Sequence, residues 1–392
     1  MTSNTTHFLT INKFHVSFVL FFIVLSIASI VNGSGNECNF PAIFNFGDSN
    51  SDTGGMAAAF VQPPTPYGET YFNRPTGRSS DGRLIIDFIA DSFGLPFLSA
   101  YLDSLGANYS HGGNFATASS TIKLTPIILP QLNGQSPFLL GIQYAQFAQF
   151  KVRTQFIKQQ GGVFATLMPK KEYFHKALYT IDIGQNDLGG GFYRVMTIQQ
   201  VTADVPEIVK IFKINVKALY NLGARSFWIH NTGPIGCLPY ISLKFIFAER
   251  DQYGCAKQYN EVAQHFNLKL KEALDQLREE LPQAAITYVD IYSVKYSLFS
   301  NSAKYGFEQP LVTCCGFGGE YNYSTTVGCG QTIEVNGSQI LVVPCENRPK
   351  RVVWDGIHYT EAANKFIFDQ ISTGAFSDPP IPLNMACHRT SI

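Results

Sequence analysis

The sequence predicts an α/β protein of three layers, α/β/α, with a mostly parallel sheet in the middle. Three observations predict it. Apolar runs of strand length alternate with longer stretches of helical period. The gaps between strands are long enough for the crossover connections that parallel pairing needs. No internal repeat or low-complexity linker interrupts the alternation, so one domain is expected.

Taken in order, Ala42 to Phe46 reads as a strand that stops at Gly47. Arg83 to Phe93 reads as a helix with Leu84, Ile85, Phe88 and Ile89 on one face and Gly94 as its stop. Tyr144 to Lys158 suggests another helix, and Ala177 to Ile183 a second strand ending at a glycine. Pro206 is tolerated in a first helical turn, so a helix is expected from there to Leu222, before Gly223. Ser226 to His230 is a third strand. Tyr259 to Leu281 is a long helix with Val262, Phe266, Leu270, Leu274 and Leu281 as its buried stripe. Ala285 to Val289 gives a further strand, and Thr360 caps a last helix through Ile371.

Ahead of these elements, an almost unbroken apolar run from Val16 to Val31 follows Lys13 and precedes Asn32-Gly-Ser-Gly35. That layout is a secretory leader, residues 1–34, cleaved between Ala28 and Gly35. The run is short for a spanning helix, and no later stretch is long and apolar enough to cross a bilayer. Residues 35–392 then form the working domain, expected to be extracellular or vacuolar. All eight cysteines lie beyond the leader, an even count that reads as disulfides, although eight allow 105 pairings. Three or four bridges are expected. Adjacent Cys314 and Cys315 should take different partners, and the cluster from Cys314 to Cys345 should staple a long surface excursion. No cysteine–histidine pattern suits zinc, and no cofactor motif appears. Asn322-Tyr-Ser324 and Asn336-Gly-Ser338 read as accessible glycosylation sites, whereas Asn108-Tyr-Ser110 is expected beside the active site.

Apolar residues make up 45% of the chain, enough for a large core, and 29 basic residues balance 29 acidic ones. With no block of like charge, long-range attraction to nucleic acid or to an anionic membrane is not indicated.

Ligands gather beyond the carboxyl ends of strands in such sheets, and polar clusters follow two of the strands. Gly47-Asp48-Ser49 could present a serine hydroxyl with its own N–H nearby as an oxyanion donor, or Asp48 or Ser49 could simply cap a helix. Gly184-Gln-Asn186-Asp187 could offer the Asn186 amide to a developing oxyanion, or be an ordinary turn. A third cluster, Trp354-Asp355-Gly-Ile-His358, could supply a histidine base and its orienting carboxylate from one loop. His111, His230 and His265 lack a carboxylate close in sequence and read as structural or surface residues.

In this order the clusters resemble the GDSL, or SGNH, hydrolase family, with Asn50 where the name-giving motif has leucine. Asn108-Tyr-Ser-His-Gly112-Gly113 looks like the second family block, and Asn231 to Pro239 and Cys314 to Asn322 resemble stretches of plant members, closest to the early-nodulin and latex-allergen-like esterases. The resemblance runs from about Phe44 to Ile371. It implies Ser49 as nucleophile, His358 as general base and acid, Asp355 as its orienter, and Ser49 N–H, Gly113 N–H and the Asn186 side chain as the oxyanion hole. Gly112 competes with Gly113 for that role. The expected substrate is a small-molecule ester, a lipid or an acylated glycan. A Gly-x-Ser-x-Gly elbow is absent around Ser49, so the α/β-hydrolase fold is not indicated.

Two other readings stand beside the ester hydrolase. A wall-glycan glycosidase would need two carboxylates flanking the bond, drawn from Asp48, Asp52, Asp187 and Asp355. A catalytically silent binding or defence protein would have no need of the full set. Thr125 to Leu132 and Leu243 to Phe247 are apolar segments expected to line an acyl pocket or to belong to the core.

Overall fold

The computed structural model describes residues 37–124 and 136–388. Residues 1–34, expected to be a leader, and the apolar segment from Thr125 to Leu132 lie outside the described residues. A six-stranded sheet runs β1 (Ile43–Gly47), β2 (Gly112–Asn114), β3 (Leu178–Asp182), β4 (Ser226–His230) and β5 (Ala285–Val289), closed by β8 (Ser377–Asp378). Its spatial order is β2-β1-β3-β4-β5-β8, with every pair parallel except β5 with β8. The remaining two strands, β6 (Thr332–Val335) and β7 (Ser338–Leu341), form a separate hairpin.

Strands β1, β3 and β4 are buried along their whole length. Covering both faces of a parallel sheet leaves no solvent side, which is why these strands read as near-continuous apolar runs rather than as alternation. Among the described residues seven principal helices supply the cover: α1 (Ile85–Ser92), α2 (Leu140–Gln160), α3 (Gln185–Tyr193), α4 (Ile198–Asn221), α5 (Lys257–Glu280), α6 (Ile291–Ser300) and α7 (Glu361–Ile371). Helix α4 packs between α2 and α5, whereas α7 packs between α1 and α6. Phe44, Phe46, Phe115, Phe147, Phe150 and Phe174 meet in an aromatic cluster under β1, with Phe44 and Phe174 stacked at 5.2 Å. Each such ring contributes roughly 2–3 kcal/mol of burial.

Helix boundaries move by one to four residues from the sequence reading. Helix α4 is the larger correction. It starts at Ile198, capped by Thr197, whose side chain accepts the Gln200 N–H while Gln200 reaches back to the Thr197 N–H. Pro206 therefore sits in the helix interior rather than in its first turn, and the capping box with the buried stripe Val201, Val205, Ile208 and Phe212 outweighs the lost hydrogen bond. Thr360 caps α7 as expected, its hydroxyl accepting Ala363 N–H at 3.2 Å.

Cys314 pairs with Cys345 and Cys315 with Cys329, and Cys237 pairs with Cys255. No cysteine among the described residues is free. Asn336 and Gly337, at φ 50 and 77, make the exposed tip of the β6–β7 hairpin. Asn322 is less open than expected, because its amide donates to Thr313 O at 2.9 Å. Among the described residues no helix is long and apolar enough to cross a membrane.

Candidate active site

The end of β1 is built for close approach. Gly47 is held from both sides by Gln143 of α2, which accepts its N–H at 2.9 Å and donates to its carbonyl at 2.7 Å. A Cβ on Gly47 would lie 2.3 Å from Asp182 O, so no other residue fits. Asp48 then donates its N–H to that carbonyl at 3.1 Å, and the chain leaves the sheet with Ser49 just beyond its carboxyl end. Asn114 fixes the return of this loop by donating to Ser51 O at 2.7 Å. The helix-capping role falls to Asp52 rather than to Asp48 or Ser49. Its carboxylate takes the N–H groups of Gly54, Gly55 and Met56, and that of Ala118 at 2.7 Å.

The second half of the site is the loop from Trp354 to His358, closed by Trp354 N–H on His358 O at 2.7 Å. Cys314 and Cys315 support it from behind, donating to Val353 O at 2.9 Å and Trp354 O at 2.7 Å. Gly356 has φ 92, and the Tyr323 ring occupies the space a Cβ would need. The loop delivers His358 Nε2 to 2.8 Å from Ser49 Oγ. The other ring nitrogen, Nδ1, lies 2.7 Å and 3.0 Å from the two oxygens of Asp355. An ionised carboxylate only accepts, so Nδ1 carries the proton and Nε2 faces the serine as acceptor. Burial pushes the Asp355 carboxyl up, but His358 and the hydroxyl of Tyr67 outweigh it and hold the group below its ordinary value.

Asn186, in the first turn of α3, donates its amide to Ser120 O at 3.0 Å and so faces the stretch Thr117–Ser120. Thr117 N–H reaches Gly47 O at 3.3 Å, which puts this stretch level with the end of β1. Gly113 is not there. It pairs with Phe44 inside the parallel ladder, three residues before Gly47, and at about 3.3 Å per residue that is roughly 10 Å back from the strand end. Gly112, in register with Ile43, lies further still. The expected oxyanion glycine is thus corrected: the backbone turn near the serine is Ala118–Ser120, where Ser119 adopts φ 62. Asn108 precedes β2 at the amino end of the sheet, so it does not lie beside the site as expected.

Two features of the site escaped the sequence reading. Tyr67 donates its hydroxyl to Asp355 Oδ2 at 2.9 Å while its ring packs edge-on against Trp354. Beneath the serine loop, His230 Nδ1 lies 3.0 Å from Asp182 Oδ2, so His230 has a carboxylate partner 48 residues away in sequence. Buried Lys295 adds a positive charge to the same group. Together they hold Asp182 below its ordinary value despite burial. Asp48 behaves oppositely: burial, with Asp182 nearby, pushes its carboxyl up to about 7. No group of three or more metal-binding side chains occurs among the described residues.

A parallel α/β/α sheet carrying a serine, a histidine and a carboxylate in hydrogen-bonded line beyond its carboxyl ends has the layout of a serine-type hydrolase. The family is specific. The chain belongs to the GDSL-like lipase/acylhydrolases, whose family model matches residues 43–371, and it is an ester hydrolase. It is 62% identical over 376 residues to an esterase of Hevea brasiliensis, covering 96% of this chain and 94% of that one. It is 61% identical over 377 residues to the GDSL esterase/lipase ENOD8 of Medicago truncatula, covering 96% and 97%. At 50% identity over 370 residues, covering 93% and 97%, it is also similar to an Arabidopsis thaliana protein named alpha-L-fucosidase 3.

Proposed function

We propose that this enzyme is a secreted carboxylic ester hydrolase that works through Ser49, His358 and Asp355. The observation that carries the reading is the unbroken hydrogen-bonded line from Ser49 Oγ to His358 Nε2, 2.8 Å, and from His358 Nδ1 to Asp355, 2.7 Å. His358 takes the serine proton as Oγ attacks the ester carbonyl, then returns it to the departing alcohol. Water repeats the sequence on the acyl-enzyme. Asp355 keeps the proton on Nδ1 and stabilises the imidazolium. The oxyanion is met by Ser49 N–H, the second hydrogen of the Asn186 amide and a backbone N–H of the turn at Ser119, which takes the role expected of Gly113. Acyl or acetyl esters of lipids, plant metabolites and wall glycans fall within this chemistry.

The leader-like residues 1–34 and the disulfides support secretion, since such bridges persist in oxidising compartments. The fucosidase name of one relative raises glycoside cleavage as a second reading. That chemistry needs a free pair of carboxylates across the bond. Here Asp52 is bound by four backbone N–H groups, Asp187 by those of Ile122 and Lys123, and Asp355 is committed to His358. Asp48 is buried under the serine loop. The ester reading therefore stands.

The test is turnover of 4-nitrophenyl acetate, butyrate and laurate by the enzyme and by Ser49→Ala. Loss of at least roughly a thousandfold, with the fold intact, is expected. A Ser49→Ala protein as active as its parent would end the serine mechanism, and the chain-length profile separates esterase from lipase.

A further inference from the structure

We propose that Tyr193, Val195, Ile246 and Phe247 form a rim through which the enzyme rests on an anionic lipid surface and takes ester substrate from it. The proposal rests on the ester hydrolase reading of the adjacent site and adds where that site meets its substrate. The sequence suggests that Leu243 to Phe247 lines a pocket or joins the core. Phe245 does pack against Phe192 and Tyr259 at 6.3 Å and 4.6 Å. The next two side chains do the opposite: Ile246 is 63% and Phe247 96% exposed, facing solvent from the turn after the short helix Pro239–Lys244.

A second apolar pair stands beside them, Tyr193 at 60% and Val195 at 77% exposure. Lys244 joins the two segments. Its ammonium donates to Tyr193 O at 2.7 Å and lies 4.4 Å from the centre of the Tyr193 ring. Tyr193 and the segment that runs on from Lys244 to Ile246 and Phe247 are thus neighbours at the surface. Single exposed apolar residues are ordinary, but a contiguous group of them marks a contact face. Val195 is held outward at φ 65, a conformation that a β-branched residue rarely adopts, by Val195 N–H on Phe192 O and Met196 N–H on Gly191 O.

The rim is tied to the reacting groups through two short helices. Tyr193 ends α3, whose first turn carries Asn186, so the two are separated by roughly 10 Å of helix. Lys244 ends the helix in which Tyr240 donates its N–H to Gly356 O, 3.2 Å, within the Asp355–His358 loop. The rim therefore stands at one end of the two helices whose other ends carry Asn186 and hold the Asp355–His358 loop.

Charge selects the occupant. The charge set among these tips is Lys244, while Arg194 lines a neighbouring pocket together with Asp187 and Asp204. Aromatic and aliphatic tips beside a cation suit the boundary between acyl chains and anionic headgroups. Glu249, the nearest acid along the chain, is paired with Lys257 at 3.2 Å. Because the whole protein carries no net charge, the attraction is local to this face.

The test uses cosedimentation with vesicles of equimolar phosphatidylcholine and phosphatidylglycerol. The Ser49→Ala protein, which cannot consume ester, is compared with the same protein carrying Ile246→Ser and Phe247→Ser. The parent is expected to bind, and the double change to weaken binding at least about tenfold. With Ser49 intact, Ile246→Ser/Phe247→Ser should hydrolyse soluble 4-nitrophenyl acetate within about twofold of the parent while losing about tenfold on a long-chain ester held in the vesicles. Equal binding by both proteins, or none by either, overturns the lipid surface. So does a dimer in solution that the double change dissolves, which would make the rim a protein interface. Inactivity of the Ser49 enzyme on both soluble and vesicle-held esters would instead strike the hydrolase reading, and vesicle binding by Ser49→Ala does not depend on it.

Discussion

Asp355→Asn tests the tautomer argument on which the proposed mechanism turns. Oδ1 of Asp355 accepts the N–H groups of Ile357 at 3.1 Å and His358 at 2.9 Å. An amide NH2 cannot face two N–H donors, so the asparagine must place its oxygen there. Its NH2 then occupies the Oδ2 position, 2.7 Å from His358 Nδ1. That donor is the nearer of the two contacts of Nδ1, since the amide oxygen lies at 3.0 Å, so it favours Nδ1 as acceptor and moves the imidazole proton to Nε2. Nε2 then meets Ser49 Oγ with a hydrogen already in place and cannot act as base. Tyr67 offers no escape, because its hydroxyl can turn and accept from the same amide. The loss expected for a wrong tautomer is about 10⁴-fold in kcat, or about 5 kcal/mol of transition-state stabilisation. Steady-state hydrolysis of 4-nitrophenyl acetate measures it, and thermal unfolding confirms that the loop still folds. Activity within about tenfold of the parent, with unchanged stability, would refute the reasoning.

Tyr67→Phe keeps the ring against Trp354 and removes one donor from a carboxylate that retains its others. We expect kcat to fall about three- to tenfold with KM unchanged, and a rise in KM alone would make Tyr67 a substrate contact instead. Asn186→Ala should lower kcat about 10²–10³-fold, and wild-type turnover would remove it from the oxyanion site. Asp48→Asn probes the buried cluster under the serine loop. The folded carboxyl is raised from 3.8 to about 7, so its contribution to stability is full below the lower value and is lost as pH rises through the higher one. About three units correspond to at most about 4 kcal/mol. The asparagine variant should therefore gain in Tm relative to the parent between pH ~4 and ~7, and parallel curves in calorimetry would refute it.

The sequence was most legible where the signal is local. Strands β3, β4 and β5 and the cap at Thr360 can be read from runs and single residues. Asp355 and His358 can be read as a pair because one loop carries both. Contacts between distant segments are another matter. His230 reads as unpaired until β3 and β4 align and bring Asp182 beside it, and nothing near Tyr67 in sequence indicates Asp355. Strand β2, at three residues with two glycines, and β8, at two residues, carry too little pattern to register. The misplacement of Gly113 has the same origin. A Gly-Gly pair looks like a loop, and only its register against Ile43 and Phe44 reveals a strand, moving the turn at the site on to Ser119.

The support behind the Asp355–His358 loop has a consequence for when activity appears. Hydrogen bonds from Gln143 and Asn114 hold the serine loop, and these form as the sheet and α2 come together. The histidine loop instead hangs on the N–H groups of Cys314 and Cys315, each anchored by its own bridge across 31 and 14 residues of chain. Closing a loop of the shorter length contributes about 3 kcal/mol. Reduction of the two bridges is therefore expected to loosen the histidine loop while leaving the serine loop held. A chain still in a reducing environment would carry a serine in position without a secured base, which would keep a newly made hydrolase idle among the esters of the cell that produces it.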